Sequence, residues 1–142
     1  MLAAKNHGRR DLLRPFGRAL ADHLAPRLDP EAGWEVTWIP CSATGRRARG
    51  FDQGRILARV VAVHLGLKSR PLLRRVDTVA QTGRSREQRL AGPRFRAGRP
   101  VKGYVVLLDD VTTTGATLRS GAAALERAGA RLVVRAAIAS VP

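Results

Sequence analysis

The chain has 142 residues, 44% of them hydrophobic but only 4% aromatic, and 26 Lys+Arg against 11 Asp+Glu give a net charge of +15. These values describe one domain with an aliphatic core, and they exclude a disordered chain or a surface of stacking platforms for single-stranded nucleic acid. The single cysteine, Cys41, excludes an internal disulfide and a four-cysteine zinc site; no apolar run reaches membrane-spanning length and no secretory h-region opens the chain, so the expected location is the cytoplasm.

The basic residues are arginines apart from Lys5, Lys68 and Lys102. Arginine grips phosphate oxygens with a planar fork, which points to an anionic partner. A GC-rich coding sequence also writes arginine, alanine and glycine, so only arginines clustered beside a phosphate-shaped motif count as functional signals.

In chain order, "DLLRPFGRALADH" (Asp11 to His23) predicts a helix with Leu12, Leu13, Phe16, Leu20 and Leu24 on its apolar stripe and Pro15 in its first turn. "APRLDPEAG" reads as loop, and "WEVTWIP" (Trp34 to Pro40) as a strand with both tryptophans facing the core. "CSATGRRARG" reads as a polar, arginine-rich loop. Asp52 to Gly66 predicts a helix with Asp52 as N-cap and Gly66 as its stop. "PLLRRV" is a short strand. The chain then turns polar from Asp77 to Gly98, and a long polar excursion inside a compact domain usually carries function. "YVVLLDD" predicts a buried strand, "GATLRSGAAALERAG" a helix ended by Gly129, and "RLVVRAAIA" a last strand. Strands alternating with helices make an α/β fold with a mostly parallel, Rossmann-like sheet covered on both faces, whose ligands bind at the carboxyl ends of the strands.

The run "VVLLDDVTTTGAT" (Val105 to Thr117) ends such a strand. It delivers Asp109 and Asp110 to the sheet's carboxyl end, with side chains pointing oppositely. A loop over Val111 to Thr114 follows, and Gly115 opens a helix whose free N–H groups and positive dipole end favour an anion. Carboxylates for sugar hydroxyls beside a nest for phosphate match the needs of a ribose 5-phosphate. Neither the P-loop pattern nor the dinucleotide fingerprint G-x-G-x-x-G occurs. A plain strand end with a threonine N-cap requires one threonine, where this run has three in succession after two aspartates.

At these residues the chain resembles type I phosphoribosyltransferases. "RARGFDQGRILAR" (Arg47 to Arg59) and "QTGRSREQRLAGPRF" (Gln81 to Phe95) precede the aspartate run in the order and spacing of the ComF family, and the likeness extends from about Ala4 to the end. The resemblance implies a single domain over 1–142 with a flexible hood at about 76–100. It implies that Asp109 and Asp110 hold the ribose hydroxyls of 5-phosphoribosyl-1-pyrophosphate, with Thr112, Thr113, Thr114, Gly115, Ala116 and Thr117 around the 5-phosphate. Cys41, Ser42, Arg46, Arg47 and Arg49 would form the pyrophosphate loop, and Arg84, Arg86 and Arg89 of the hood would meet the leaving group, with Arg86 and Arg89 catalytic beside the two aspartates. Mg2+ would travel with the substrate, near Asp109 and Asp110, rather than in a protein cage. A homodimer is a further expectation.

Two departures qualify the likeness. Members of the family usually carry an N-terminal cysteine-rich zinc module, which this chain lacks; and Thr113 stands where purine-using relatives place a carboxylate, which leaves the acceptor unread. His7, His23 and His64 are scattered and read as non-catalytic, Cys41 as a lining residue without a histidine partner, and Arg9, Arg10, Arg14 and Arg18 as a solvated helix face. The sequence is compatible with two functions: a phosphoribosyltransferase, or a competence accessory protein that binds DNA and keeps the ribose-phosphate pocket as a sensor.

Overall fold

The computed structural model describes residues 2–76 and 93–141. The first helix, α1 (Leu2–Leu24), leads through two 3-10 turns to β1 (Glu35–Trp38). Next come α2 (Ala43–Arg49), α3 (Gln53–Leu65), β2 (Lys68–Ser69) and β3 (Leu73–Arg75). The chain ends with β4 (Phe95–Ala97), β5 (Gly103–Thr112), the helix α4 (Ala116–Arg127) and β6 (Ala130–Ser140). Four strands form one all-parallel sheet in the order β2-β1-β5-β6, and β3 and β4 pair antiparallel as a separate hairpin.

The buried strand β5 explains the layering. Val106 and Leu108 face the cluster made with Ala21 and Leu24 of α1 and Leu57, Ala58 and Val61 of α3. Val105 and Leu107 face the opposite cluster, with Leu118, Ala122 and Leu125 of α4 and Leu73 and Phe95 of the hairpin. Alternation along one strand thus feeds two cores, which is why it reads as a continuous apolar run rather than as alternation. Thr37 is the buried polar residue of β1, and its hydroxyl accepts from the Leu72 backbone N–H at 3.2 Å, so its burial leaves no orphaned group.

Three expectations change. Helix α1 begins at Leu2, so Pro15 lies inside the helix, not in its first turn. Its buried side is Leu13, Ala21 and Leu24, while Leu12 and Phe16 are 59% and 51% exposed. The reason lies at Gly17, where a Cβ would come 2.6 Å from the Val60 side chain. That close approach of α1 to α3 fixes the helix's rotation and turns the larger side chains outward. Second, residues 43–49 of the expected loop form α2, capped by the Ser42 hydroxyl, which accepts from Gly45 N–H at 3.0 Å. Third, β5 runs on through Val111 and Thr112, which pair with Ala139 and Ser140, so the turn before α4 shrinks to Thr113–Gly115. The helix over 53–65 behaves as expected, with Asp52 capping and Gly66 at φ 68° closing it. Arg14 and Arg18 are exposed, as a solvated face requires.

Gly129 tests the packing. It sits at φ 115°, and a Cβ there would lie 2.5 Å from the Val101 carbonyl oxygen, a backbone atom that cannot swing away. Gly129→Ala is therefore expected to destabilise the fold by about 2–3 kcal/mol in urea unfolding monitored by far-UV CD.

Candidate functional site

The chain leaves β1 toward β2 on one side, while β5 leads to β6 on the other. Their adjacent carboxyl ends are the point where the winding reverses, and neither the β1–β2 nor the β5–β6 connection passes over the gap between them. A cavity of about 280 Å³ lies there, lined by Ile39, Pro40, Cys41 and Ser42 after β1 and by Asp109, Asp110 and Val111 of β5. Thr117 of α4 contributes from one side, and Asp52, Gln53 and Gly54 at the start of α3 from the other. Arg75 and Pro93, at the end of the hairpin where its two strands are connected, complete it.

Both aspartates are fixed from their own backbone. Asp109 accepts from Asp110 N–H at 2.9 Å through Oδ1, and Asp110 accepts from Val111 N–H at 2.8 Å. The half-buried Asp109 carboxyl is pushed up to about 7, first because burial strips water from the charged form, then because the Asp110 carboxylate lies beside it. The hydrogen bond from Asp110 N–H, and then the charge of Arg75, work in the other direction and favour the ionised form.

The α3 wall is held by Asp52. Its carboxylate accepts from Trp38 Nε1–H at 3.1 Å and from Arg55 N–H at 3.3 Å. Gly54 lies tightly beneath it: a Cβ would sit 3.2 Å from both the Ile39 carbonyl oxygen and the Trp38 ring. On the other side, Gly115 takes φ 77° as the N-cap of α4. The Thr114 hydroxyl accepts from Ala116 N–H at 3.2 Å, and Arg119 Nη1 donates to the Thr114 carbonyl at 2.9 Å.

The sequence-predicted residues divide accordingly. Asp109, Asp110, Cys41, Ser42 and Thr117 converge on the cavity. Thr112, Thr113, Thr114, Gly115 and Ala116 form the adjoining strand end and turn, with Thr113 and Thr114 exposed. Arg46 instead lines a larger groove of about 1130 Å³ along α3 with Arg55 and Arg59, and Arg47 is exposed to solvent. The Arg49 side chain and the hood residues Arg84, Arg86 and Arg89 lie outside the described residues. Sequence reading missed Asp52 and Gln53 as wall residues and missed Arg75; the doubled arginine closing the short strand "LLRRV" was the available signal. Among the described residues, no group of three or more His, Cys, Asp or Glu is arranged to hold a metal ion, and no helix is long and apolar enough to cross a membrane.

No protein-family model matches the chain, and no curated protein does. Solved structures do match. The allosteric regulatory enzyme of purine biosynthesis is 25% identical, with a TM-score of 0.57 over 88% of this chain and 26% of that one. The glutamine phosphoribosylpyrophosphate amidotransferase from B. subtilis is 22% identical, with a TM-score of 0.57 over the same 88% and 26%. The purine phosphoribosyltransferase from Pyrococcus horikoshii is 21% identical, with a TM-score of 0.59 over 92% of this chain and 73% of that one. The chain thus spans about a quarter of the length of the first two, each covered to 26%. The fold is the α/β type I phosphoribosyltransferase fold, a parallel four-stranded sheet flanked by helices.

The raised Asp109 gives a pH signature. In the unfolded chain this carboxyl ionises near 3.8, in the folded one near 7. Between those values the folded state holds the extra proton, so this group's contribution to stability falls as pH rises through the window. Asp109→Asn keeps an oxygen to accept from Asp110 N–H. Thermal unfolding should place variant and wild type together near pH 4, with the variant more stable by on the order of 1–2 kcal/mol at pH 8, the linkage value being reduced by solvent screening.

Proposed function

We propose that the protein binds 5-phosphoribosyl-1-pyrophosphate and transfers its phosphoribosyl group to a nucleophilic acceptor, releasing pyrophosphate. One observation carries this reading: an acidic strand tip and the opening turn of α4 share the cavity at the winding reversal of a phosphoribosyltransferase fold. Asp109 and Asp110 accept from the two ribose hydroxyls. The backbone N–H groups and hydroxyls from Thr113 to Thr117 hold the 5-phosphate beside the positive end of α4. The segment Cys41–Arg49 holds pyrophosphate, and Arg84, Arg86 and Arg89 of the hood meet it as it leaves.

In the reaction the C1–oxygen bond breaks with its electron pair passing to pyrophosphate. The acceptor forms the new bond to C1 and gives up its proton. The sugar passes through an oxocarbenium-like state, so fixed charges around the departing anion supply most of the stabilisation; losing one such contact typically costs about 10²–10³ in rate. Mg2+, held beside Asp109 and Asp110 with the donor, would supply neutralisation of part of the pyrophosphate charge. The residues present fit that arrangement: Asp109 and Asp110 adjoin at the cavity and would hold the ion together with oxygens of the donor, while Asp52 on the same lining is engaged by Trp38 and Arg55. Thr113, in place of a carboxylate, speaks against a hypoxanthine-type acceptor.

A second reading rests on the net charge of +15 and the exposed Arg14, Arg18 and Arg47: a ComF-like accessory protein that binds DNA and senses the donor. Donor binding without turnover, together with DNA retardation that weakens steeply with salt, would favour it.

Asp110→Asn retains the acceptor for Val111 N–H and should leave thermal unfolding near that of the wild type. Calorimetric titration with 5-phosphoribosyl-1-pyrophosphate and Mg2+ should show affinity lowered about 10- to 100-fold. Wild-type protein that binds no donor and releases no pyrophosphate with any nitrogenous acceptor would remove the assignment.

A further inference from the structure

The helix α3 carries more apolar residues than its packing inside the fold uses. Its core side is Leu57, Ala58 and Val61, and Val60 meets α1 at Gly17. Ile56 and Val63 belong to neither contact, and Val63 is 76% exposed. A surface helix needs one apolar stripe for each layer it packs on, so a further strip marks a face that meets something else. At 3.6 residues per turn Ile56, Arg59 and Val63 share that face, with Arg55 beside them.

This face lines the larger groove, of about 1130 Å³, at the β2 edge of the sheet. Leu67 and Pro71, on either side of β2, line it too, and so does Arg46 of α2. Its volume exceeds the roughly 300–1,000 Å³ of small-ligand pockets. Arg46, Arg55 and Arg59 are exposed along it and form no ion pair among the described residues. The one carboxylate of the lining, Asp52, is engaged by the Trp38 indole and the Arg55 N–H.

A wall that mixes apolar side chains with cations is the complement of a segment that mixes apolar side chains with carboxylates. Nucleic acid fits less well. The aromatic residues of the lining, Trp38 and Phe51, are each only 8% exposed and offer no ring for a base to stack on, and phosphates gain nothing from Val63 and Leu67. A second copy also fits less well, because 26 Lys+Arg against 11 Asp+Glu put like charge on both sides.

We propose that the α3 groove is a docking site for a partner protein, which lays an acidic amphipathic helix along it, its apolar side chains on Ile56, Val63 and Leu67 and its carboxylates on Arg55 and Arg59. The row formed by Ile56, Arg59 and Val63 has the spacing into which the ridges of a second helix pack. The apolar centre supplies the burial, and the arginines at the rim set the charge selectivity. None of these five residues lines the donor cavity, so the inference stands apart from the reaction proposed above.

The test titrates the full chain by calorimetry with a synthetic helical peptide that carries Leu at i, i+4 and i+7 and Glu at the flanking positions. Two control peptides replace its Glu by Lys or its Leu by Ser, and a single-stranded oligonucleotide is the third control. The acidic amphipathic peptide should bind at least about tenfold more tightly than each control. Arg55→Glu and Arg59→Glu should each weaken it about 5- to 10-fold, and Val63→Ser about 3- to 10-fold. Arg131→Glu, an exposed position on β6 at the opposite edge of the sheet, alters the net charge as much as Arg59→Glu and should stay within about twofold. Equal losses at Arg59 and Arg131 would reduce the effect to the general charge of the chain and overturn the proposal. Tighter binding of the oligonucleotide, lost on the same arginine reversals, would make the groove a nucleic-acid surface. Self-association in sedimentation velocity that Val63→Ser relieves would make it an interface between copies. Either result overturns the proposal, as does an acidic peptide that fails to bind or binds no better than its controls. Should a variant lose its fold by CD, the peptide comparison on the wild-type chain decides alone.

Discussion

The site depends on β1 and β5 lying side by side and pointing the same way. Parallel neighbours end at the same edge, and because the chain departs from β1 to one side and from β5 to the other, neither connection closes over the gap. The two strands are pinned together by register from Glu35 opposite Val105 to Trp38 opposite Leu108, and by Ile39 N–H donating to the Leu108 carbonyl at 2.9 Å. That last bond sits one residue below Asp109. The acidic tip therefore stands on the most buried part of the molecule, which fixes its position and also raises its pKa.

Each wall of the gap is set by a different local device. On the α3 side Asp52 both caps the helix and holds the Trp38 indole, and Gly54 lets the helix start press against β1. On the α4 side a left-handed glycine turns the chain from strand to helix within three residues. The hairpin closes the third side through Leu73 and Phe95, packed onto α4 at Gly121, where a Cβ would come 2.7 Å from Ile39 and 3.2 Å from Leu73. The helix that bears the threonine turn and the hairpin that bears Arg75 are thereby one packed unit, so the cation and the turn keep a fixed spacing.

Much of this was legible in the residues. The layer order followed from apolar runs and from the Asp52 cap and Gly66 stop of one helix, and the acidic pair announced itself because polar side chains at the end of a β-branched run have few structural uses. What remained hidden depended on contacts between distant segments. The rotation of α1 is set by Gly17 meeting Val60, and no periodicity within α1 records Val60. The extension of β5 through Thr112 is set by β6, whose Ala139 and Ser140 supply the pairing. Arg75 looked like one of many arginines, because what distinguishes it is the Pro40 carbonyl 35 positions away. The seven-residue α2 hid behind glycine and arginine, its cap recognisable only once Ser42 was seen to accept from Gly45.

The two tryptophans give the protein a built-in pair of optical reporters at opposite ends of one strand. Trp34 packs its ring 5.1 Å from that of Tyr104 at the amino end of β1, and its buried Nε1 has no hydrogen-bond partner among the described residues. Trp38, at the carboxyl end, donates to the carboxylate of Asp52, which itself lines the cavity. Trp34 thus sits in an apolar cage at one end of the strand, whereas Trp38 is tied by one hydrogen bond to a residue of the cavity wall, so a change at that wall is transmitted directly to one indole and not to the other.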